Sequence, residues 1–218
     1  PLAHAEIVGI EKPEEAGERV FTAHDMDGVA PIRPTSNVAG HRIVGSPPMA
    51  LTRVRFVGEI IAACLAPNRA QAEDLAEQVV PDLKELPVVA SIDAAMAEGA
   101  PLVHADWGTN LSMETRFDSG IEEQVARATV QVTRTLDMAR QAMVPLEGKG
   151  ALAHFDARDG QLVVYSSTQS PHMIRNALCQ CLGLQQRQIR VVAPDVGGGF
   201  GYKAILHPEE VIVAWLAL

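Results

Sequence analysis

The chain has 218 residues, 47% of them hydrophobic and 21% charged, with a net charge of −9 and an isoelectric point near 5.2. That is enough for one large domain or two smaller ones with a buried core. The acidic balance excludes a sequence-independent grip on nucleic acid, which needs clustered Lys and Arg to displace counterions, and it disfavours an acidic partner equally. No stretch reaches the roughly 18–20 apolar residues of a membrane span, and no basic segment followed by an apolar one opens the chain.

Ala5 to Ile10 and Arg19 to Thr22 read as short strands, and Ala23 to Gly28 as a helical turn with a glycine stop. Val29 to Met49, rich in Pro, Gly, Ser and Asn, reads as loop. Val54 to Ala66 gives two β segments about Gly58-Glu59. Asn68 then caps a helix to Val79: Ala72, Leu75, Ala76 and Val79 form its apolar face, and Glu73, Asp74 and Glu77 its wet side. Lys84 to Ser91 is a strand candidate, and Ile92 to Ala97 a short helix ended by Gly99. Pro81 removes a ladder donor, so a strand containing it belongs at a sheet edge. Asp106 to Ser119 is polar and marks the expected boundary. The expected organisation is an α+β unit over 1–105, a connector over 106–120 and a second α+β unit over 121–218.

In the second unit Ile121 to Ala128 reads as helix, and Ala128 to Met138 as a strand burying Val130, Val132 and Thr135 or Leu136. Gly150 to Phe155 and Gln161 to Tyr165 form a hairpin whose turn is supplied by Asp159-Gly160. Met173 to Leu182 is a helix closed by Gly183, and Val191-Val192 a strand that runs into a glycine loop. Three cysteines cannot all pair, which points to a reducing, cytoplasmic compartment with the periplasm left open. Cys179 and Cys181 point about 200° apart around a helix axis, so no shared metal is expected.

The chemistry-bearing stretch is Val196-Gly197-Gly198-Gly199-Phe200-Gly201-Tyr202-Lys203. Each glycine costs roughly 0.5–1 kcal/mol relative to alanine, so the run suits positive φ or close approach of main chain to a ligand; a plain tight turn is the alternative. It lacks the spacing of GxGxxG and of GxxxxGK[ST], which argues against a dinucleotide fold or a P-loop. Gln169 ends an apolar strand and offers donor and acceptor together. If its strand neighbours that of the loop, both reach one sheet edge; a turn-capping amide is the alternative. Phe200, read by itself, is a plain buried aromatic. Glu147 reads as a structural carboxylate hydrogen-bonded to main chain rather than a catalytic group. His172 reads as a solvated or capping residue, and Lys203 as a phosphate neutraliser or a surface lysine. Glu209 and Glu210 follow Pro208 as ordinary first-turn carboxylates.

Three phrases in order, Pro145-Leu146-Glu147, Ser167-Thr168-Gln169 with Pro171-His172, and Val196 to Gly201 with Lys203, resemble the molybdenum-binding domain of the xanthine oxidase, aldehyde oxidase and aerobic carbon monoxide dehydrogenase family. Val54-Arg55-Phe56-Val57-Gly58-Glu59 and Leu86-Pro87-Val88-Val89 resemble the a/b hammerhead domain that precedes it there. The resemblance implies a molybdenum–molybdopterin cofactor, in the cytosine dinucleotide form if bacterial, touched by Gln169, Gly198, Gly199, Phe200 and Gly201. It implies hydroxylation of an aldehyde or N-heterocycle with water-derived oxygen, and iron–sulfur and FAD centres on partner subunits. Ala204 stands where xanthine-oxidising members carry a substrate-binding glutamate, so that purine specificity is not expected. The cysteine-bearing loop of true carbon monoxide dehydrogenases has no counterpart, and the family's base glutamate lies beyond Leu218. The chain opens without Met inside strand-like sequence and stops on the apolar run Val211 to Leu218, so the polypeptide is expected to continue and this stretch alone to be inactive. A short module that binds molybdopterin or assembles subunits without catalysis is the alternative reading.

Overall fold

A computed structural model gives the fold and describes residues 2–36, 38–117 and 119–218. Strand β1 (Ala5–Glu11) lies between β3 (Arg53–Val54) and β5 (Val80–Glu85), antiparallel to both, while β2 (Val20–Thr22) pairs with β4 (Ala62–Cys64). Helix α1 (Arg69–Glu77) starts where Asn68 accepts the Gln71 amide at 3.0 Å, the cap read from sequence. Leu75 is its buried residue; Ala76, expected on the apolar face, is exposed. The strand expected from Lys84 lies four residues earlier, because β1 supplies a partner for Val80–Glu85, whereas Pro87 has no N–H to continue the ladder. Pro81 sits on an edge strand, as its chemistry requires. Helix α2 (Ile92–Met96) is capped by Ser91.

Helix α3 (Glu122–Arg127) follows, but the expected strand over Ala128 to Met138 does not form. Val130, Val132 and Leu136 are 79%, 75% and 86% exposed rather than buried. Alternation marks a two-faced segment, yet a strand needs a neighbour for its ladder, and among the described residues none pairs with it.

The third sheet is β6 (Ala151–Asp156), β7 (Gln161–Ser166) and β8 (Ile189–Val192), in that order. The hairpin turn is held by Asp156, whose Oδ1 accepts the Arg158 amide at 3.0 Å. Central β7 buries Leu162, Val163 and Val164. From β7 the chain crosses through α4 (Pro171–Leu182), stopped by Gly183 at φ 67°, into β8 parallel to β7, with Val164 opposite Val191. Helix α5 (Pro208–Ala217) packs on the sheet. The main core is common to both parts of the chain: Met26 and Met49 pack with Leu162, Ile174, Leu178 and Val211. Phe21 of β2 meets Trp215 of α5 edge-on at 5.6 Å, and the Ala30 amide donates to the Cys181 carbonyl at 2.8 Å. The content is therefore mixed α and β, and β7 and β8 end at the same edge.

Candidate functional site

The β7–α4–β8 crossover fixes where the polar residues go. Parallel neighbours must be joined by a long connection, so the segments leaving both strands emerge on one side. After β7 comes Thr168-Gln169, and after β8 the glycine loop. The two are tied together by main chain: the Lys203 carbonyl accepts the Gln169 amide at 3.0 Å and the Thr168 hydroxyl at 2.9 Å. Gln169 then turns its side chain onto the loop, Oε1 accepting from Gly201 N–H at 3.1 Å. The structure thus brings Gln169 together with Gly199, Phe200 and Gly201, which the sequence places some thirty residues away.

Two glycines are dictated by side chains pressed against them. A Cβ at Gly199 would overlap the Gln169 amide, and one at Gly197 would lie 2.8 Å from Glu147 Cβ. Others are dictated by backbone: Gly198 and Gly201 have φ of 83° and 88°, and Phe200 shares that left-handed region at 51°. Phe200 is 72% exposed, so the buried-aromatic reading of it is wrong; the twisted backbone holds the ring outward. Within the loop Gly198, Tyr202 and Ala204 donate to main-chain carbonyls. Among the described residues, the amides of Gly199 and Phe200 and the Nε2 of Gln169 have no acceptor. That leaves donors for an oxygen-rich, anionic group, and the residues present fit a molybdopterin-type cofactor in that respect.

Behind the loop lie two ion pairs. Glu147 accepts from Lys203 Nζ at 2.8 Å and from Gly197 N–H at 2.6 Å. The Lys203 ammonium first, and the Gly197 amide second, hold its carboxyl below the usual carboxylate range. Glu147 is therefore the main-chain-bonded carboxylate expected, and Lys203, fully buried, is neither a surface lysine nor free to meet a phosphate. Lys149 pairs with Glu210 at 2.9 Å, and Glu210 also accepts from Ser166 Oγ and from His207 N–H. Glu210 is thus more than a first-turn carboxylate: it is 1% exposed and ties α5 to the end of β7. Lys149 and Ser166 escaped sequence reading because nothing local marks a partner 61 or 44 positions away. His172 is exposed, as expected of a solvated residue. Burial raises the Cys181 and Cys179 thiols, keeping them protonated and inert. Among the described residues no helix is long and apolar enough to cross a membrane.

Residues 103–218 match the molybdopterin cofactor-binding domain family. The nicotine 6-hydroxylase large subunit of Paenarthrobacter nicotinovorans is 32% identical over 219 residues, covering 98% of this chain and 27% of that protein. The crystal structure of quinoline 2-oxidoreductase from Pseudomonas putida 86 superposes with a TM-score of 0.92 at 34% identity, covering 100% of this chain and 28% of that one. Aldehyde oxidoreductase from Desulfovibrio gigas gives 0.86 at 31% identity, covering 99% and 24%. The chain thus spans about a quarter of the relatives it matches. The relatives are oxidoreductases, which favours the enzyme reading over a non-catalytic module. With the matched family covering more than half of its residues, the chain belongs to the molybdopterin cofactor-binding domain family, as a stretch of a molybdenum hydroxylase large subunit.

Proposed function

We propose that the chain is the N-terminal part of the molybdenum-binding subunit of an enzyme that hydroxylates an aldehyde or N-heterocycle. Residues 1–105 would form the a/b hammerhead domain, 106–120 a connector and 121–218 the start of the cofactor domain. One observation carries this reading: Gln169 is pinned by Gly201 beside a loop whose amides at Gly199 and Phe200 have no protein acceptor.

In this reading Gln169, Gly198, Gly199, Phe200 and Gly201 hold molybdenum–molybdopterin, as the cytosine dinucleotide. When bound, that group supplies two-electron oxidation chemistry with water as the oxygen source. The protein's share is positioning. Gly201 N–H fixes the Gln169 amide so that Nε2 is its outward donor, and the glycines let main-chain donors approach without side chains between. Phe200, exposed beside the loop, would help to shape access for a small substrate. Overall, a substrate C–H and water become C–OH, two electrons and two protons; the electrons leave through iron–sulfur and FAD partner subunits in a cytoplasmic complex.

The intact protein purified from molybdate-fed cells should carry stoichiometric molybdenum and release CMP on acid hydrolysis. It should oxidise at least one member of a panel of aldehydes and N-heterocycles, and Gln169→Ala should reduce kcat by about 100-fold or more, the size of effect seen when a positioned donor is lost. Intact protein that holds neither metal nor pterin would overturn the reading.

A further inference from the structure

A second site lies in the first part of the chain and shares no residue with the glycine loop. A half-open cavity of about 520 Å³ is bounded by the loop at Gly45–Ser46, the turn from Leu51 to Phe56, and Val103-His104. Small-molecule sites span roughly 300–1,000 Å³, so it has room for an organic ligand. Its charge-bearing lining is of one kind: Arg53, Arg55 and His104 reach it, and no Asp or Glu does. That runs against the background of a chain with net charge −9.

Both guanidinium groups lack a carboxylate partner among the described residues. Arg55 Nη1 reaches the Arg53 carbonyl at 3.4 Å, and its Nε–H, shielded from solvent, has no acceptor. A guanidinium can only donate, so what it lacks is an acceptor. Arg55, Phe56 and Val103 also wall an adjoining cavity of about 230 Å³. There His4, 7% exposed, donates from Nδ1 to the Pro87 carbonyl at 2.8 Å and leaves Nε2 unpartnered. Two shielded nitrogens without partners therefore flank one wall. Native interiors pair such groups, so these nitrogens call for an acceptor from water, an ion or a ligand. The remaining lining, Val44, Leu51, Phe56 and Val103, is apolar.

We propose that this cavity binds an organic carboxylate with a compact apolar body, the arginines taking the carboxylate and Leu51 with Phe56 the body. His104, its ring stacked on Trp107 at 4.6 Å, lies at the rim. Burial first and the Arg55 charge second lower its pKa, with His4 adding to that and Asp106 opposing it. An anion seated against Arg55 cancels part of that field, so binding takes up a proton at His104.

The experiment is calorimetry on the intact protein with benzoate, its neutral analogue benzyl alcohol, and inorganic phosphate. The expected result is one saturable benzoate site, with benzyl alcohol and phosphate each weaker by about tenfold or more, the usual worth of a charge-assisted hydrogen bond. Arg55→Gln, or Arg53→Gln should the first fail to fold, lowers benzoate affinity by a similar factor. Titration in buffers of different ionisation enthalpy shows proton uptake on the acid side of neutrality, lost in His104→Phe, which keeps the ring stack. The proposal fails if benzoate does not bind, if benzyl alcohol or phosphate binds as well, or if a folded arginine variant binds benzoate unchanged.

Discussion

Lys203 places an ammonium at zero exposure, and Glu147 meets it at 2.8 Å while also accepting Gly197 N–H. One carboxylate thus anchors the start and the end of the glycine loop. Because its folded pKa lies below the ordinary value of about 4.3, its stabilisation is complete above that value and is lost as pH falls through the folded one. Melting temperatures of wild type and Glu147→Gln should differ by a constant amount above about pH 5 and converge on acidification. A gap that widens in acid would show that the pair does not stabilise the fold. At Gly199 the backbone is unstrained, and an alanine Cβ would come 2.5 Å from Gln169 Cδ, so the Gln169 side chain must swing off the Gly201 amide to make room. Gly199→Ala should cost about 1–3 kcal/mol, as overpacking does, and lower molybdenum content several-fold. Gly148→Ala, with open space around it, should leave both unchanged.

Among elements, α5 is the one whose docking depends on charge. Its first turn buries Glu210 against Lys149, with side-chain exposures of 1% and 7%, and Ser166 closes the network from β7. Removing one member strands the other in low dielectric, a loss of about 3–5 kcal/mol, whereas replacing both by apolar groups of similar volume is often neutral. Glu210→Gln should therefore lower stability by about that much, and Lys149→Met combined with Glu210→Met should recover most of it. Denaturant midpoints of the three proteins measure this directly; a double variant as weak as the single one would assign the loss to packing instead.

Across the whole molecule the apolar surface is unevenly distributed. The main core draws Met26 and Met49 from the first part together with α4, α5 and β7. The stretch over residues 128–148 exposes Leu136, Met138 and Leu146 at 86%, 93% and 103%. Patches of that kind mark surfaces that other protein covers. Hydroxyl-radical footprinting of the intact protein should find Met138 protected to the level of Met49, which is buried in the core. Modification of Met138 at the rate of a fully exposed methionine would show that the segment stays bare.

Much of this was legible in the residues themselves. Asn68, Gly183 and the Asp159-Gly160 turn act through their own backbone and nearest neighbours, so the helix start, helix stop and hairpin they make stand where the sequence puts them, whereas the helix ended by Gly183 starts at Pro171, two residues before the expected Met173. The glycine run likewise announced a loop of unusual backbone, since no other composition tolerates repeated positive φ. What local chemistry could not decide was pairing over distance. The Val130 to Leu136 alternation has no neighbouring strand, and Lys203 with Glu147, Lys149 with Glu210 and Gln169 with Gly201 meet only because the crossover returns β8 beside β7. Periodicity and capping are properties of a few adjacent residues, whereas burial of a charge and the register of two strands depend on which distant segments the folded chain brings into contact.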